Sequence, residues 1–263
     1  STKIYRMGTA KEEKASTTDV IAQEPTLDYN YCQIQMAFLE QSVLRSLMSS
    51  ESGYSHKDKF VQEIYNMRSS CEATNLYGTR GRVINKLTGA AQYSADGIFN
   101  RVTNGTTFRG NDTAKDVITN KDVTALLEKV FAGNAGSDER LLLGGSTLIK
   151  HLQDVGLEKH IGSTQITAKH GVEVLELESN FGKLMIKHSK MMDLFGDKET
   201  AYILDLKHIF KHDLEPMSKK ALDPDAAGLR RVKDAVRILE NSCLTVRYPD
   251  VHWKWTRDGA NSN

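Results

Sequence analysis

The alternation of apolar and polar positions along the chain predicts a polar lead-in, one long helix, and a mixed set of shorter helices and strands behind it. Over His56–Tyr77 (HKDKFVQEIYNMRSSCEATNLY), Phe60, Val61, Ile64, Met67 and Cys71 recur three and four residues apart, while Asp58, Lys59, Glu63, Arg68 and Glu72 fall mostly elsewhere. That spacing is the mark of a helix with one buried stripe. At 1.5 Å per residue it would span roughly 33 Å, about the width of a small domain. Ser55 stands where a cap is expected and Gly78 where a stop is expected.

Residues 1–30 are polar, with TAKEEKASTTD in the middle and Pro25 near the end. They read as an extended arm that buries too little apolar surface to order by itself. Tyr31 to Tyr54 opens with the alternation Cys32, Ile34, Met36, which predicts a strand, and closes in a loop marked by Ser49, Ser50, Ser52 and Gly53. Beyond the long helix, Gly78, Gly81 and Gly89 punctuate an irregular stretch expected to wrap the helix end, and a turn-rich block predicts a boundary near Asp112.

Val123, Leu126, Leu127, Val130 and Phe131 form a second helical stripe, opened by Asn120 and closed by Gly133. Leu141 to Leu143 reads as a strand turning through Gly144 and Gly145 into a helix capped by Ser146 and carrying Leu148, Ile149, Leu152 and Val155. VEVLELES, FGKLMIKHS and TAYILDLKHIFKHDL then predict an antiparallel sheet on which the helices pack. LRRVKDAVRILEN fits a helix through Leu229, Val232, Val236 and Leu239, or a strand through Val236 and Ile238. Leu244, Val246 and Tyr248, then Val251, Trp253 and Trp255, alternate on either side of Pro249-Asp250. They predict a hairpin whose tryptophans cover apolar surface near the long helix.

Composition narrows the function classes. A chain of 263 residues can bury roughly 70–75 % of its unfolded surface, as one large domain or two intimate ones. Lys plus Arg number 35 against 34 Asp plus Glu, so the electrostatic footprint of a dedicated nucleic-acid binder is missing. Cys32, Cys71 and Cys243 are widely and irregularly spaced; they encode neither a disulfide framework nor a zinc site and read as reduced thiols. No apolar run reaches membrane-spanning length and no signal peptide is legible, which predicts a soluble protein that is not exported.

The chemistry-bearing candidates are weak. Gly144-Gly145-Ser146-Thr147 at a helix start could cradle a phosphate, but it lacks both phosphate-binding glycine spacings, and a structural cap explains the same residues. His208 and His212 lie four apart, yet Ile209 stands where a zinc-helix glutamate belongs. If the segment is a strand, the two are also roughly 13 Å apart. There is no nucleophile elbow. No catalytic, cofactor or metal residue is predicted.

The order of parts is what carries a resemblance. Arm, extended segment, long helix, mixed subdomain and returning strands resemble the major capsid proteins of tailed bacteriophages, the Hong Kong 97-type fold. NYCQI at 30–34, FGKLMIKHSKMM at 181–192, YILDLKHIFKHDLEP at 202–216 and ENSCLTVRYPDVHWKW at 240–255 sharpen it, with Asp205, Glu240, Leu244, Pro249 and His252 as matching positions. The resemblance implies an α+β capsid fold: an N-terminal arm (1–30), an extended loop (31–56), a peripheral domain on the long spine helix (57–111 and 237–263) and an axial domain (112–236).

It further implies a non-enzymatic structural protein whose partner is itself. Hexamers and pentamers would tile an icosahedral head, assembled in the host cytoplasm around double-stranded DNA, with scaffold, portal and head accessory proteins as further partners and no membrane. An N-terminal segment lost in maturation would fit the Ser1 start. Subunit contacts are expected at Ile4, Tyr5, Ile34, Phe38, Leu39 and Tyr54. The rival readings are a decoration or tail-tube protein, and a nucleotide-binding enzyme using the Gly144 turn.

Overall fold

The segment Thr200–Leu204 (TAYIL) is buried at every residue, and the molecule is arranged to cover both its sides. In the computed structural model, residues 27–42, 56–87, 89–108, 118–132, 136–154, 166–168, 172–222 and 232–257 are described. The elements in chain order are β1 (Gln33–Ser42), α1 (His56–Tyr77), β2 (Gly81–Ile84), β3 (Ala91–Ser94), α2 (Ile98–Arg101), β4 (Asn104–Phe108), α3 (Asn120–Phe131), β5 (Glu139–Gly144), α4 (Ser146–Asp154), β6 (Ile166–Ala168), β7 (Val172–Ser179), β8 (Gly182–His188), α5 (Lys190–Leu194), β9 (Thr200–Leu204), β10 (Ile209–Leu222), β11 (Val232–Val246) and β12 (Trp253–Arg257). None of the described helices is long and apolar enough to cross a membrane.

A seven-stranded mixed sheet runs β4-β12-β9-β5-β8-β7-β6. Successive side chains of a strand point to opposite faces, so β9 feeds two cores. Ala201 and Ile203 join Leu126, Leu127, Val130, Leu148, Leu152 and Trp255 under α3 and α4. Tyr202 and Leu204 join Leu76, Ile98, Phe99, Met191 and Met192 on the other side. Phe99 stacks on Tyr202 with ring centroids 3.6 Å apart.

This arrangement corrects the expected antiparallel run. β7 and β8 do form a hairpin, but β5 lies between β8 and β9 and pairs parallel with β8. A strand that is apolar on both faces belongs in the middle of a covered sheet, so β9 is flanked by β5 and β12 rather than by its chain neighbour.

A second, three-stranded sheet runs β1-β11-β10, all antiparallel, with α1 on one face. LRRVKDAVRILEN therefore resolves as strand from Val232 onward. α1 occupies the expected span, and Phe60, Ile64, Met67 and Cys71 pack against Ala37, Met217 and Ile238. Val61 departs from its expected place and is 65 % exposed. Its Cβ lies about a quarter turn off the line of Phe60, Ile64, Met67 and Cys71 that packs on the sheet.

Further expectations are revised. The stretch after α1 is a hairpin, β2 against β3, rather than irregular. α3 opens at Asn120 as expected, and Thr119 before it is the cap: its hydroxyl accepts from Asp122 N while its own amide donates to Asp122 Oδ2 at 2.9 Å. Gly78 does follow α1, but for a reason of space. A Cβ there would sit 2.5 Å from Thr74 O, and one on Gly97 would sit 2.5 Å from Leu76 O. The two glycines let Gly97 N donate to Gly78 O at 2.7 Å, seating α2 on the end of α1.

The C-terminal hairpin does not form. β11 and β12 belong to different sheets, because Tyr248, with a left-handed φ of 51°, and the turn Pro249–Val251 redirect the chain between them. Trp255 is 1 % exposed and packs beside Phe108 in the α3/α4 core, not over the long helix. The seven-stranded sheet draws β4 and β12 together with strands from residues 139–204. Ser55, Asp112, Gly133 and Val155 lie outside the described residues.

Candidate assembly surface

β1 is amphipathic with its apolar side turned outward. Ile34, Met36 and Phe38 are 65 %, 62 % and 45 % exposed, whereas Gln33, Gln35, Ala37 and Leu39 are half-buried on the opposite face. The inward glutamines have partners. Gln33 Oε1 accepts from Ala95 N at 3.0 Å, and Gln35 Nε2 donates to Thr74 Oγ1 of α1 at 3.0 Å. The alternation thus buries amides through specific hydrogen bonds and leaves the oily side chains in water, the reverse of a strand serving its own core. A contiguous exposed apolar row of this kind marks a surface that another molecule covers.

Beneath it the strand is anchored by a buried polar cluster. Gln35 faces Glu240 across β1 and β11, and the Cys71 thiol of α1 reaches Gln35 Oε1 at 2.7 Å and Glu240 Oε2 at 3.5 Å. Lys211 Nζ of β10 donates to Glu240 Oε1 at 2.7 Å, as Ser242 Oγ does at 2.9 Å. Burial would raise the Glu240 carboxyl, but the Lys211 and Ser242 hydrogen bonds outweigh it and hold Glu240 below the ordinary carboxylate range. Burial with the carboxylate beside it pushes the Cys71 thiol up to about 11, so it stays protonated and serves as a donor. The cluster ties helix and all three strands together, and its groups are occupied with one another rather than poised for chemistry.

The chain enters β1 through a second clamp. Asn30 Nδ2 donates to Leu244 O at 2.7 Å and to Asp96 O at 3.1 Å, and its Oδ1 accepts from Asp96 N at 2.8 Å. Asp28 meets both Arg80 and Arg101. Tyr29, Tyr31 and Tyr93 form an aromatic row, with Arg80 over the Tyr29 ring.

Of the residues named from sequence, Ile34 and Phe38 share the exposed apolar face, and Leu39 lies on the inward one. Ile4, Tyr5 and Tyr54 lie outside the described residues. Met36 was not singled out, although the 34, 36, 38 alternation contains it. His208 lies in the turn Leu206–His208 and His212 in β10, and the described residues hold no cluster of three or more metal-ligating side chains.

The Gly144 turn carries no free anion cradle. Asp193 Oδ1 accepts from Ser146 N at 2.8 Å, and Leu148 N donates to Lys198 O at 3.1 Å. A Cβ on Gly145 would lie 2.4 Å from Asp197 O. Ser146 is the first residue of α4 rather than its cap, and a carboxylate of the protein already takes the place of an anion at that helix start.

Solved structures share this architecture. One from Gordonia phage Cozz has 14 % identity and a TM-score of 0.56, covering 94 % of this chain and 79 % of that one. One in the asymmetric unit of the bacteriophage PhiM1 mature capsid has 9 % identity and a TM-score of 0.53, covering 97 % and 81 %. One in the holo-SrpI encapsulin complex from Synechococcus elongatus PCC 7942 has 11 % identity and a TM-score of 0.52, covering 88 % and 76 %. At these identities the likeness speaks for the fold, which is the Hong Kong 97-type capsid fold. No curated protein matches the chain. The sequence itself fits a family model, the SU10 major capsid protein, over residues 5–257. A capsid fold, an outward apolar strand and a family match over nearly the whole length converge: this chain belongs to the SU10 major capsid protein family and is a structural protein of the virion, built into a shell from many copies.

Proposed function

We propose that this chain closes an icosahedral head as hexamers and pentamers, with the outer face of β1 laid against a neighbouring copy. The observation that carries the reading is the exposed row Ile34, Met36 and Phe38 on a strand whose polar face is satisfied internally. β1 and β10 are moreover the two edges of their sheet and run 10 and 14 residues. Long edges of this kind invite strand or side-chain contacts from another chain. Within each closed ring every copy meets its neighbour in the same way, so one row of side chains can serve in rings of five and of six.

In this reading the arm (1–30) and extended loop (31–56) reach adjacent subunits. The peripheral unit is α1 with the three-stranded sheet. The axial unit is the seven-stranded sheet, including 104–108 and 253–257 rather than 112–236 alone. The shell assembles in the host cytoplasm, with scaffold, portal and accessory proteins as partners, and acts without catalysis. Near-zero net charge suits a wall that encloses double-stranded DNA without gripping it, since each neutralised phosphate adds affinity.

Light scattering on a sizing column, followed by electron microscopy of the same peak, tests this. Rings of five or six, or closed shells, are expected. A strict monomer at high concentration, unchanged by crowding agents or scaffold, overturns it.

A further inference from the structure

We infer that Cys32 and Cys243 form an intramolecular modification site, closed to a disulfide by a low-molecular-weight disulfide such as oxidised glutathione. Sequence spacing separates the two cysteines widely, but the fold brings their Sγ atoms to 3.1 Å. Gln33 pairs with Ser242, so Cys32 falls opposite Cys243 one step further along the β1–β11 register. Directly opposed residues of antiparallel strands have Cα atoms roughly 4.5–5.5 Å apart, inside the range disulfides span. The placement is held from outside the pair, by the Asn30 bonds to Leu244 O and Asp96 O. Cys71 is engaged elsewhere, with Gln35 and Glu240.

The two thiols are unequal. Cys32 is half-buried and Cys243 buried, and burial, with the Cys32 thiol beside it, pushes Cys243 up to about 12. Cys32 is therefore the entry point. Its thiolate attacks one sulfur of the small disulfide, that S–S bond breaks, and one small thiol leaves. Cys243 then gives its proton to solvent and attacks the Cys32 sulfur of the mixed disulfide, forming the protein S–S bond and releasing the second small thiol. The two cysteines are oxidised together by two electrons, and the small disulfide is reduced by two.

The bond would staple the entry of β1 to the central strand of its sheet, closing a loop long enough for a large entropic effect on the unfolded chain. Its use rests on the capsid reading: a particle built where thiols stay reduced and released where they do not would gain this staple on release.

The test uses the full chain, purified reduced and unassembled, then exposed to oxidised glutathione. The expected result is an intact mass lower by two hydrogens, a digest peptide joining Cys32 to Cys243, Cys71 as the only alkylatable thiol, and a melting midpoint raised by several degrees. The variant Cys32→Ser should show none of these. Continued alkylation of Cys32 and Cys243, or a glutathione adduct that persists on Cys32, overturns the inference. The cross-link is read on the free subunit. A cross-linked chain that never assembles would sink the shell reading alone, and shells from a chain that never cross-links would sink this site alone.

Discussion

The amide of Asp205 donates to Nδ1 of His252 across 3.1 Å, and at that contact the two passages of the chain between the sheets touch. β9 leaves the seven-stranded sheet through Asp205 to become β10, and β11 returns through His252 to become β12. Both residues are fully buried. Asp205 also accepts from Ser137 N at 2.7 Å and Lys207 N at 3.0 Å, while Arg140 Nη1 donates to Val251 O at 2.5 Å. One junction thus fixes how the sheets are joined.

Its pH dependence follows. Burial, aided by the Arg140 charge and opposed by the Arg247 backbone and Asp205, lowers His252 below the ordinary histidine value. A group whose folded pKa is depressed contributes stability that is full above its unfolded value, about 6.5, and lost as pH falls through the folded one. The melting midpoint of the free subunit should decline as pH drops from neutral through about 6. In His252→Asn, which keeps a short acceptor but cannot titrate there, the starting midpoint should be lower and this part of the slope should flatten. An unchanged slope would remove His252 as the cause.

Lys211 and Glu240 separate by the same logic at lower pH. The hydrogen bonds from Lys211 and Ser242, working against burial, keep Glu240 below its ordinary range, so its stabilisation holds above about 4.5 and fades as pH falls further. Lys211→Met leaves the buried carboxylate without its cation and should cost about 1–3 kcal/mol at neutral pH in urea unfolding. That cost should shrink on acidification, because protonating Glu240 relieves it.

Trp255 should be the most sensitive aromatic among the described residues. It is packed against Phe108 and the α3/α4 core, so Trp255→Ala is expected to cost about 3–5 kcal/mol in chemical denaturation, with Trp255→Phe costing less. Near-wild-type stability of the alanine variant would show that the core closes over the gap.

The outward face of β1 should respond in the opposite sense. Ile34→Ser with Phe38→Ser changes exposed positions and should change the unfolding free energy of the free subunit by no more than about 1 kcal/mol, about 0.5 kcal/mol for each substitution. Assembly, followed by light scattering, should be lost or strongly slowed. Wild-type assembly by the double variant would move the contact to another surface.

The helices were legible because their stripes are local: α1 runs over the span read from its spacing, and Val123, Leu126, Leu127 and Val130 are all buried in α3. Strands were legible as strands but not as neighbours. TAYIL announces burial on both faces, yet nothing near it in sequence says that β5 and β12 will flank it. The C-terminal hairpin was misread because Leu244, Val246, Trp253 and Trp255 alternate alike, while the left-handed Tyr248 between them sends each pair to a different sheet. At the candidate assembly surface, the alternation from Ile34 to Phe38 was visible. Which side faced water depended on Gln33 and Gln35 finding partners more than thirty residues away.

β12 lies as an interior strand between β4 and β9, with Trp253 in register beside Asn104 and Ile203. A ribosome translating this chain exposes β4 long before β12 exists, so the seven-stranded sheet must wait, with a gap in it, until residue 257 has cleared the exit tunnel. Synthesis thereby sets the order in which the fold can close: the larger sheet is completed by the last of the described strands to be made, not by the first.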